Sequence, residues 1–155
     1  MTFEEALVKA SNICARQEKC VFDIEKKLKD WEVAPEVGFK VVDQLIKEKF
    51  IDEERYIRFY VKDKFLFNRW GKIKIRWQLK AKQIYGSVVD EALLQIDEDE
   101  YKSALAQLLI QKRRNIKDDD KYKIKASLIR YASSRGFEPD LIYQVLDSEE
   151  LNDLI

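Results

Sequence analysis

The side chains best suited to chemistry in this sequence are two acidic triplets, Asp52-Glu53-Glu54 and Asp118-Asp119-Asp120. Clustered carboxylates can bind a divalent cation, or transfer protons when they share a cleft that shifts their pKa values. Adjacent residues at the start of a helix point in different directions, however, and their charge favours the N-terminal end of the helix dipole. We therefore interpret both triplets as helix-capping segments, with neither a metal site nor a catalytic acid.

The other reactive side chains also argue against an enzyme. The sequence contains no histidine, which excludes Ser-His and Cys-His catalysis and every histidine-ligated metal. Cys14 and Cys20 are too few for a zinc site or a disulfide framework, and we interpret them as buried or free thiols of a reducing cytoplasm. No G-x-G-x-x-G or G-x-x-x-x-G-K-[ST] nucleotide motif occurs. We expect no catalytic, cofactor-binding or metal-binding residue.

Charge is balanced over the chain but unevenly distributed along it. The 29 basic and 29 acidic residues cancel, yet residues 62–82 contain eight Lys or Arg and one acid. Residues 111–135 contain nine Lys or Arg and three Asp, while residues 90–100 and 138–155 are acidic. Basic blocks of this kind attract phosphates or acidic protein surfaces. Our contact candidates are Lys72, Lys74, Arg76, Lys80, Lys82, Arg113, Arg114, Lys123 and Arg130.

The first basic block has two interpretations. On a helix, Ile73 and Trp77 share one side, whereas Ile75 and Leu79 lie nearly opposite. Such a helix is either sandwiched between two neighbours or presents a basic and aromatic face to a partner.

The second basic block also has an ordinary interpretation, since a charge-rich helix face is often only a solvated face. Lys123 and Arg130 project away from the apolar stripe of Leu128 and Ala132, so we expect both in solvent. A curved stack of helices could nevertheless align both basic blocks along one concave side.

Helical spacing of apolar residues runs through the whole chain. With only 4 Gly and 2 Pro as breakers, it predicts an all-α fold of nine helices in three sets. Thr2 with Glu5, and Ser87 with Asp90, have the spacing of capping boxes. Pro35 suits the first turn of a helix. Asp52 is a natural N-cap and indicates the start of a helix, which is expected to end at Trp70-Gly71. Gly136 indicates the end of a later helix.

The three sets are similar in sequence. When Glu32, Gln83 and Gly136 are taken as equivalent, 51 and 53 residues apart, apolar residues coincide at several positions on either side. We infer three tandem three-helix repeats at residues 1–51, 52–96 and 97–155, the last with an acidic C-terminal tail. Stacked repeats are expected to give an elongated, curved body.

Three segments together resemble the RecX family of recombinase regulators. The stretch Leu45–Tyr56, preceded by Lys26-Lys27-Leu28 and Val33, follows the family's L-x-x-x-G-hydrophobic-I-D-D-x-R-F/Y block. Trp70-Gly71, followed by Ile75 and Leu79, is similar to its K-G and I-x-x-x-L pattern, and Arg135-Gly136-Phe137 to its R-G-F. The departures are Glu32 and Gln83, where the family often has Gly, and Trp70 in place of Lys. The resemblance extends over residues 6–146.

This resemblance implies a regulator that binds in the groove of the RecA–DNA filament and hinders ATP hydrolysis and strand exchange. The expected partner is the RecA recombinase filament, with single- or double-stranded DNA as a further contact and an electrostatic role for the nine basic residues. A crescent spanning several subunits would couple many weak contacts through one rigid body.

Two other functions stay open. The first is a non-specific nucleic-acid-binding helical repeat protein without a recombinase partner, and the second is a scaffold for an unrelated partner. The acidic N-terminal residues and the lack of a long apolar run predict neither a signal peptide nor a membrane span. We therefore expect a cytoplasmic protein, and a monomer in the absence of an obvious self-complementary apolar patch.

Overall fold

The computed structural model describes all 155 residues, and its regular elements are all helices. The predicted all-α fold is confirmed. None of these helices combines the length and apolar character that a membrane span requires. The ten helices are α1 (Phe3–Arg16), α2 (Val21–Asp30), α3 (Pro35–Lys47), α4 (Glu53–Leu66), α5 (Lys72–Ala81), α6 (Ser87–Leu94), α7 (Glu98–Arg114), α8 (Lys121–Ser134), α9 (Pro139–Leu146) and α10 (Glu149–Asn152).

The chain forms two compact units. Unit 1 comprises residues 1–60 and 82–84, and unit 2 comprises residues 61–81 and 85–155. Unit 1 contains the three-helix core of α1, α2 and α3, and in unit 2 helices α7, α8 and α9 pack on one another. The repeat boundaries predicted after residues 51 and 96 stay predictions. The three-helix core of unit 1 is formed by Ala6, Ala10, Ile24, Leu28, Val41, Val42, Leu45 and Ile51.

The three positions that we aligned as equivalent share one backbone conformation. Glu32, Gln83 and Gly136 have φ angles of 58°, 63° and 93°. This left-handed region lets the chain leave a helix at its C-terminal end. In the first of these turns, the N–H of Val33 donates to the carbonyl of Leu28 at 3.0 Å. The three aligned positions therefore share a helix-ending turn, and Lys49 and Arg69 end two other helices with the same left-handed φ.

Local signals predict some helix starts correctly and one wrongly. The Thr2 hydroxyl accepts a hydrogen bond from the N–H of Glu5 at 3.2 Å, and Pro35 occupies the first turn of α3. The predicted capping box of Ser87 is wrong. Gly86 precedes α6 with a φ of 117°, and its carbonyl accepts the first helical hydrogen bond, so Ser87 lies one position inside the helix.

Two further predictions about helix ends need correction. Helix α4 ends at Leu66 and not at Trp70-Gly71. Arg69 adopts a left-handed φ of 55°, and the N–H of Trp70 turns back to the carbonyl of Lys64 at 3.0 Å. The C-terminal tail also contains a tenth helix that was not predicted. Its Leu151 is fully buried, and α10 packs on α7 and α9.

Unit 2 contains a close backbone contact between the start of α5 and the turn that follows α8. The N–H of Gly71 donates to the carbonyl of Arg135 at 2.7 Å, and the N–H of Ile73 donates to the carbonyl of Gly136 at 3.0 Å. N–H groups in the first turn of a helix have no acceptor within it, so these carbonyls complete α5. We call this contact the glycine joint, because a Cβ on Gly71 would lie 2.3 Å from the Gly136 oxygen.

Candidate functional site

Helix α5 exposes one of its two apolar sides. Ile75 and Leu79 are fully buried, whereas Trp77 is 70% exposed and Ile73 is 39% exposed. The sandwiched interpretation of this helix is therefore wrong, and its basic and aromatic side lies in solvent. Residues spaced by three or four positions are neighbours on a helix surface. We call the surface formed by Ile73, Lys74, Trp77 and Lys80 the α5 face.

Four of the nine candidate basic residues are exposed and form no salt bridge within the chain. They lie on α5, α7 and α8, and all belong to unit 2. The predicted exposure of Lys123 and Arg130 is confirmed. Since no carboxylate neutralises these side chains, their charge is available to an anionic partner. We call these four residues the free cations: Lys80, Arg114, Lys123 and Arg130.

The other candidates in unit 2 already have partners within that unit. Arg76 forms an ion pair with Asp90, and the Arg113 guanidinium donates to the carbonyl of Leu154 at 2.8 Å. The ammonium groups of Lys72 and Lys74 lie over aromatic rings, 4.9 Å and 4.8 Å from the centroids of Tyr101 and Trp70. These contacts restrain the side chains, which makes them secondary members of any contact surface.

Lys82 belongs to unit 1 and is held inside it. Its ammonium donates to Asp23 at 2.9 Å and to the Tyr56 hydroxyl at 2.8 Å, and it lies 5.5 Å from the ring centroids of Tyr56 and Tyr60. Burial raises the pKa of the Asp23 carboxyl, but hydrogen bonds from Lys82 and the Cys20 N–H outweigh it and leave that pKa below its usual value. Burial raises the pKa of the Tyr56 hydroxyl, which stays protonated. Lys82 thus stabilises unit 1 and is poorly placed to contact a partner.

Both acidic triplets begin helices, as predicted. Asp52 accepts a hydrogen bond from the N–H of Arg55 at 3.1 Å, at the start of α4. Asp120 caps α8, accepting from the N–H groups of Tyr122 and Lys123 at 2.9 Å and 3.4 Å. The capping interpretation is confirmed for both triplets.

The two cysteines are reduced and at least partly buried. Cys20 is buried, Cys14 is intermediate, and neither forms a disulfide. Burial raises the pKa of both thiols. The protonated thiol is a poor nucleophile, so these side chains behave as small apolar residues.

Selection by charge alone omitted exposed aromatic residues from the candidate set. Trp77 projects from the α5 face, and Tyr122, which is 87% exposed, lies between two lysines at the start of α8. Helical geometry could have indicated the exposure of Trp77, because it places this residue opposite the apolar pair Ile75 and Leu79.

Two protein-family models match the chain. The model of the RecX second three-helix domain matches residues 52–93, and that of the RecX third three-helix domain matches residues 99–146. Together they cover more than half of the 155 residues. The chain belongs to the RecX family.

Curated RecX relatives agree with this assignment. The regulatory protein RecX of Clostridium acetobutylicum is 33% identical over 128 residues, which are 80% of this chain and 59% of that protein. That of Clostridium beijerinckii is 31% identical over 140 residues, 88% of this chain and 64% of that protein. The chain therefore spans about three fifths of the length of these relatives. Both carry the name of a regulatory protein, and RecX is thus a family of regulators.

Two solved RecX structures share the fold. A crystal structure of regulatory protein RecX has a TM-score of 0.85 at 21% identity, covering 94% of this chain and 73% of its own. The crystal structure of RecX from Lactobacillus salivarius has a TM-score of 0.79 at 20% identity, covering 99% of this chain and 97% of its own. At these identities the likeness supports the helical repeat fold alone.

The RecX-like motifs of this chain lie at structural contacts. Arg55 donates to Glu18 at 2.6 Å and to the carbonyls of Lys49 and Phe50 at 3.1 Å and 3.3 Å, which joins the α3–α4 turn to the α1–α2 loop. The W-G and R-G-F motifs meet in the glycine joint. These motif residues therefore make contacts within the fold, whereas the free cations lie outside the motifs although they fall within the matched family domains.

Proposed function

We propose that this chain regulates a RecA–DNA filament by docking on it, and that docking inhibits ATP hydrolysis and strand exchange. Membership of the RecX family supports a regulatory role. The observation that carries the proposed contact is the set of free cations, which are exposed in unit 2 without a carboxylate partner. We place this activity in the cytoplasm, with the chain acting as a monomer.

The proposed mechanism is electrostatic. The DNA of a filament presents phosphates, and the free cations can meet these or an acidic protein surface. Binding phosphates releases condensed counterions, which makes such a contact favourable and sensitive to salt. A body held against several subunits restrains the subunit movements that accompany ATP hydrolysis.

The ATPase rate of RecA on single-stranded DNA, titrated with this protein near physiological salt, tests the proposal directly. We expect the rate to fall at substoichiometric to stoichiometric ratios of the protein to RecA. The protein must be shown to be folded by circular dichroism in the same buffer. An unchanged rate with folded protein contradicts the proposed function.

Reversal of the free cations is expected to weaken this inhibition. We consider a variant in which Lys80, Arg114, Lys123 and Arg130 are all replaced by Glu. The concentration that half-inhibits the ATPase should rise roughly tenfold or more, because attraction becomes repulsion at each contact.

A matched control reverses four exposed lysines of unit 1: Lys26, Lys27, Lys29 and Lys40. This control changes the net charge by the same amount and should shift half-inhibition by less than about threefold, a residual effect of total charge. Equal effects of the two variants would mean that net charge matters and the location of the free cations does not.

A nucleic-acid-binding protein without a recombinase partner is the second candidate, favoured by the exposed Trp77 beside the free cation Lys80. It requires that the protein bind naked DNA and that the binding weaken with salt. A plot of log affinity against log salt concentration should have a slope of about −0.7 to −0.9 for each phosphate that is neutralised. If filament binding persists at a salt concentration that abolishes binding to naked DNA, this candidate is insufficient.

A further inference from the structure

The exposed tryptophan of the α5 face is the starting observation. Trp77 is 70% exposed and points away from the core, because Ile75 and Leu79 on the other side of α5 are fully buried. Ile73, one turn earlier and 39% exposed, extends the apolar surface. Single exposed apolar side chains are ordinary, but Trp77 and Ile73 are neighbours on one helix surface and together expose an aromatic ring that a flat group can stack on.

The charges around this patch favour an anionic ligand. Lys74 and Lys80 lie three residues before and after Trp77, so they flank the ring along the helix surface. Lys80 is a free cation, and α5 contains no acidic residue. The nearby carboxylate of Asp90 is engaged by Arg76 and does not neutralise the patch.

We propose that Trp77 stacks on an unpaired base of single-stranded DNA, while Lys80 contacts the phosphate beside that base and Lys74, whose ammonium lies over the Trp70 ring, adds a weaker attraction from the other side. Every base has an aromatic face, so stacking tolerates any sequence, and an adjacent lysine supplies attraction to the backbone. Bases in a duplex are already stacked on their neighbours and are inaccessible to the ring. The α5 face therefore binds the single strand, and this inference rests on the proposed function by naming the nucleic-acid component that this face contacts.

Fluorescence separates stacking from charge. The probes are a short oligo(dT) and an abasic oligonucleotide of the same length, which keeps the phosphates and lacks the bases. We expect oligo(dT) to quench the tryptophan emission and to bind more tightly than the abasic strand. Because Trp31 and Trp70 also fluoresce, the Trp77→Phe variant shows how much of the quenching belongs to Trp77.

Substitution then measures the contribution of the ring. Trp77→Ala should lower oligo(dT) affinity about 5- to 100-fold, the range for losing one stacked base, with little effect on the abasic strand. Trp77→Tyr should retain most of the affinity. Tyr143→Ala removes another half-exposed aromatic residue, from a helix without basic residues, and should change the affinity by less than about twofold.

Three results would overturn the inference. They are equal affinity for the oligo(dT) and abasic strands, unchanged oligo(dT) affinity in Trp77→Ala, and a Trp77→Ala defect confined to binding the RecA protein. The last outcome would make the α5 face a protein-docking surface. The RecA ATPase titration separates this failure from that of the proposed function. Inhibition with no stacking defeats only this inference, whereas stacking with no inhibition defeats only the filament proposal.

Discussion

Gly136→Ala is expected to lower the free energy of unfolding by about 2–5 kcal/mol, since two costs add. Gly136 has a φ of 93°, a conformation that alanine adopts only with strain. A Cβ at this position would also lie 2.6 Å from the backbone nitrogen of Lys74 and 2.9 Å from its Cα atom. These are backbone atoms at the start of α5, so no side-chain rotation can relieve the clash. The chain must instead open the glycine joint.

Three other glycines separate these costs. At Gly86 φ is 117° but a Cβ would meet nothing within 4 Å, so Gly86→Ala should cost only the backbone strain, about 1–2 kcal/mol. At Gly71 the Cβ would meet the Gly136 carbonyl oxygen without any left-handed strain, so Gly71→Ala reports the clash. Gly38 lies inside α3 with its nearest neighbour, a Leu28 methyl group, at an ordinary 3.6 Å. Gly38→Ala should therefore stabilise by about 0.5–1 kcal/mol.

Urea unfolding followed by circular dichroism checks this series. From most to least stable, the expected order is Gly38→Ala, the unsubstituted chain, Gly86→Ala and then Gly136→Ala. A Gly136→Ala variant no less stable than Gly86→Ala would mean that the joint is looser than the structure shows.

The second large effect concerns Lys82, and Lys82→Met should cost about 1.5–3 kcal/mol at neutral pH. Methionine keeps most of the side-chain volume but removes the ammonium group that donates to Asp23 and Tyr56. The Asp23 carboxylate is only 18% exposed, so it would be left charged with little water to solvate it. The matched control is Lys80→Met, two residues earlier at an exposed position, which should change stability by less than about 0.5 kcal/mol.

The pH dependence of the Lys82→Met effect has a defined sign. In the folded chain the pKa of Asp23 lies below its unfolded value, so the stability from this pair is present above about pH 4. It is lost as the pH falls through the folded pKa and the carboxyl group becomes protonated. Without Lys82, burial leaves the pKa of Asp23 raised, so the difference in unfolding free energy between the unsubstituted chain and Lys82→Met should shrink as the pH falls from that raised pKa to the lowered pKa of the unsubstituted chain. A difference that stays constant with pH would mean that packing of the alkyl chain, and not the ion pair, holds Lys82.

The spacing of apolar residues predicts those structural features that depend only on residues close together in the sequence. The helices follow from apolar spacing, and the equivalence of Glu32, Gln83 and Gly136 indicates a recurring turn that the structure confirms through three left-handed φ angles. Errors occur where glycine geometry competes with a side-chain cap, as at Gly86 beside Ser87. Both residues are plausible N-caps in sequence, and only the backbone conformation decides between them.

The candidate site is harder to predict, because a lysine's role depends on partners that are distant in sequence. Lys82 meets Asp23 from 59 positions away, and nothing near it in the chain indicates that contact. Lys80, two residues earlier, has the same local composition and remains exposed. The sequence can therefore identify a basic segment, but it cannot separate the cations that stabilise the fold from those left for a partner.

The glycine joint also affects when unit 2 can complete its fold during synthesis on the ribosome. The N–H groups of Gly71 and Ile73 find their acceptors at Arg135 and Gly136, more than 60 residues later in the chain. A growing chain that ends before these residues leaves the first turn of α5 unsatisfied. The core of α1, α2 and α3, in contrast, uses no residue beyond Ile51 and can pack while the rest is still being translated. The first core can thus form early, and the helix that carries Trp77 is completed only after residue 136 has been added to the chain.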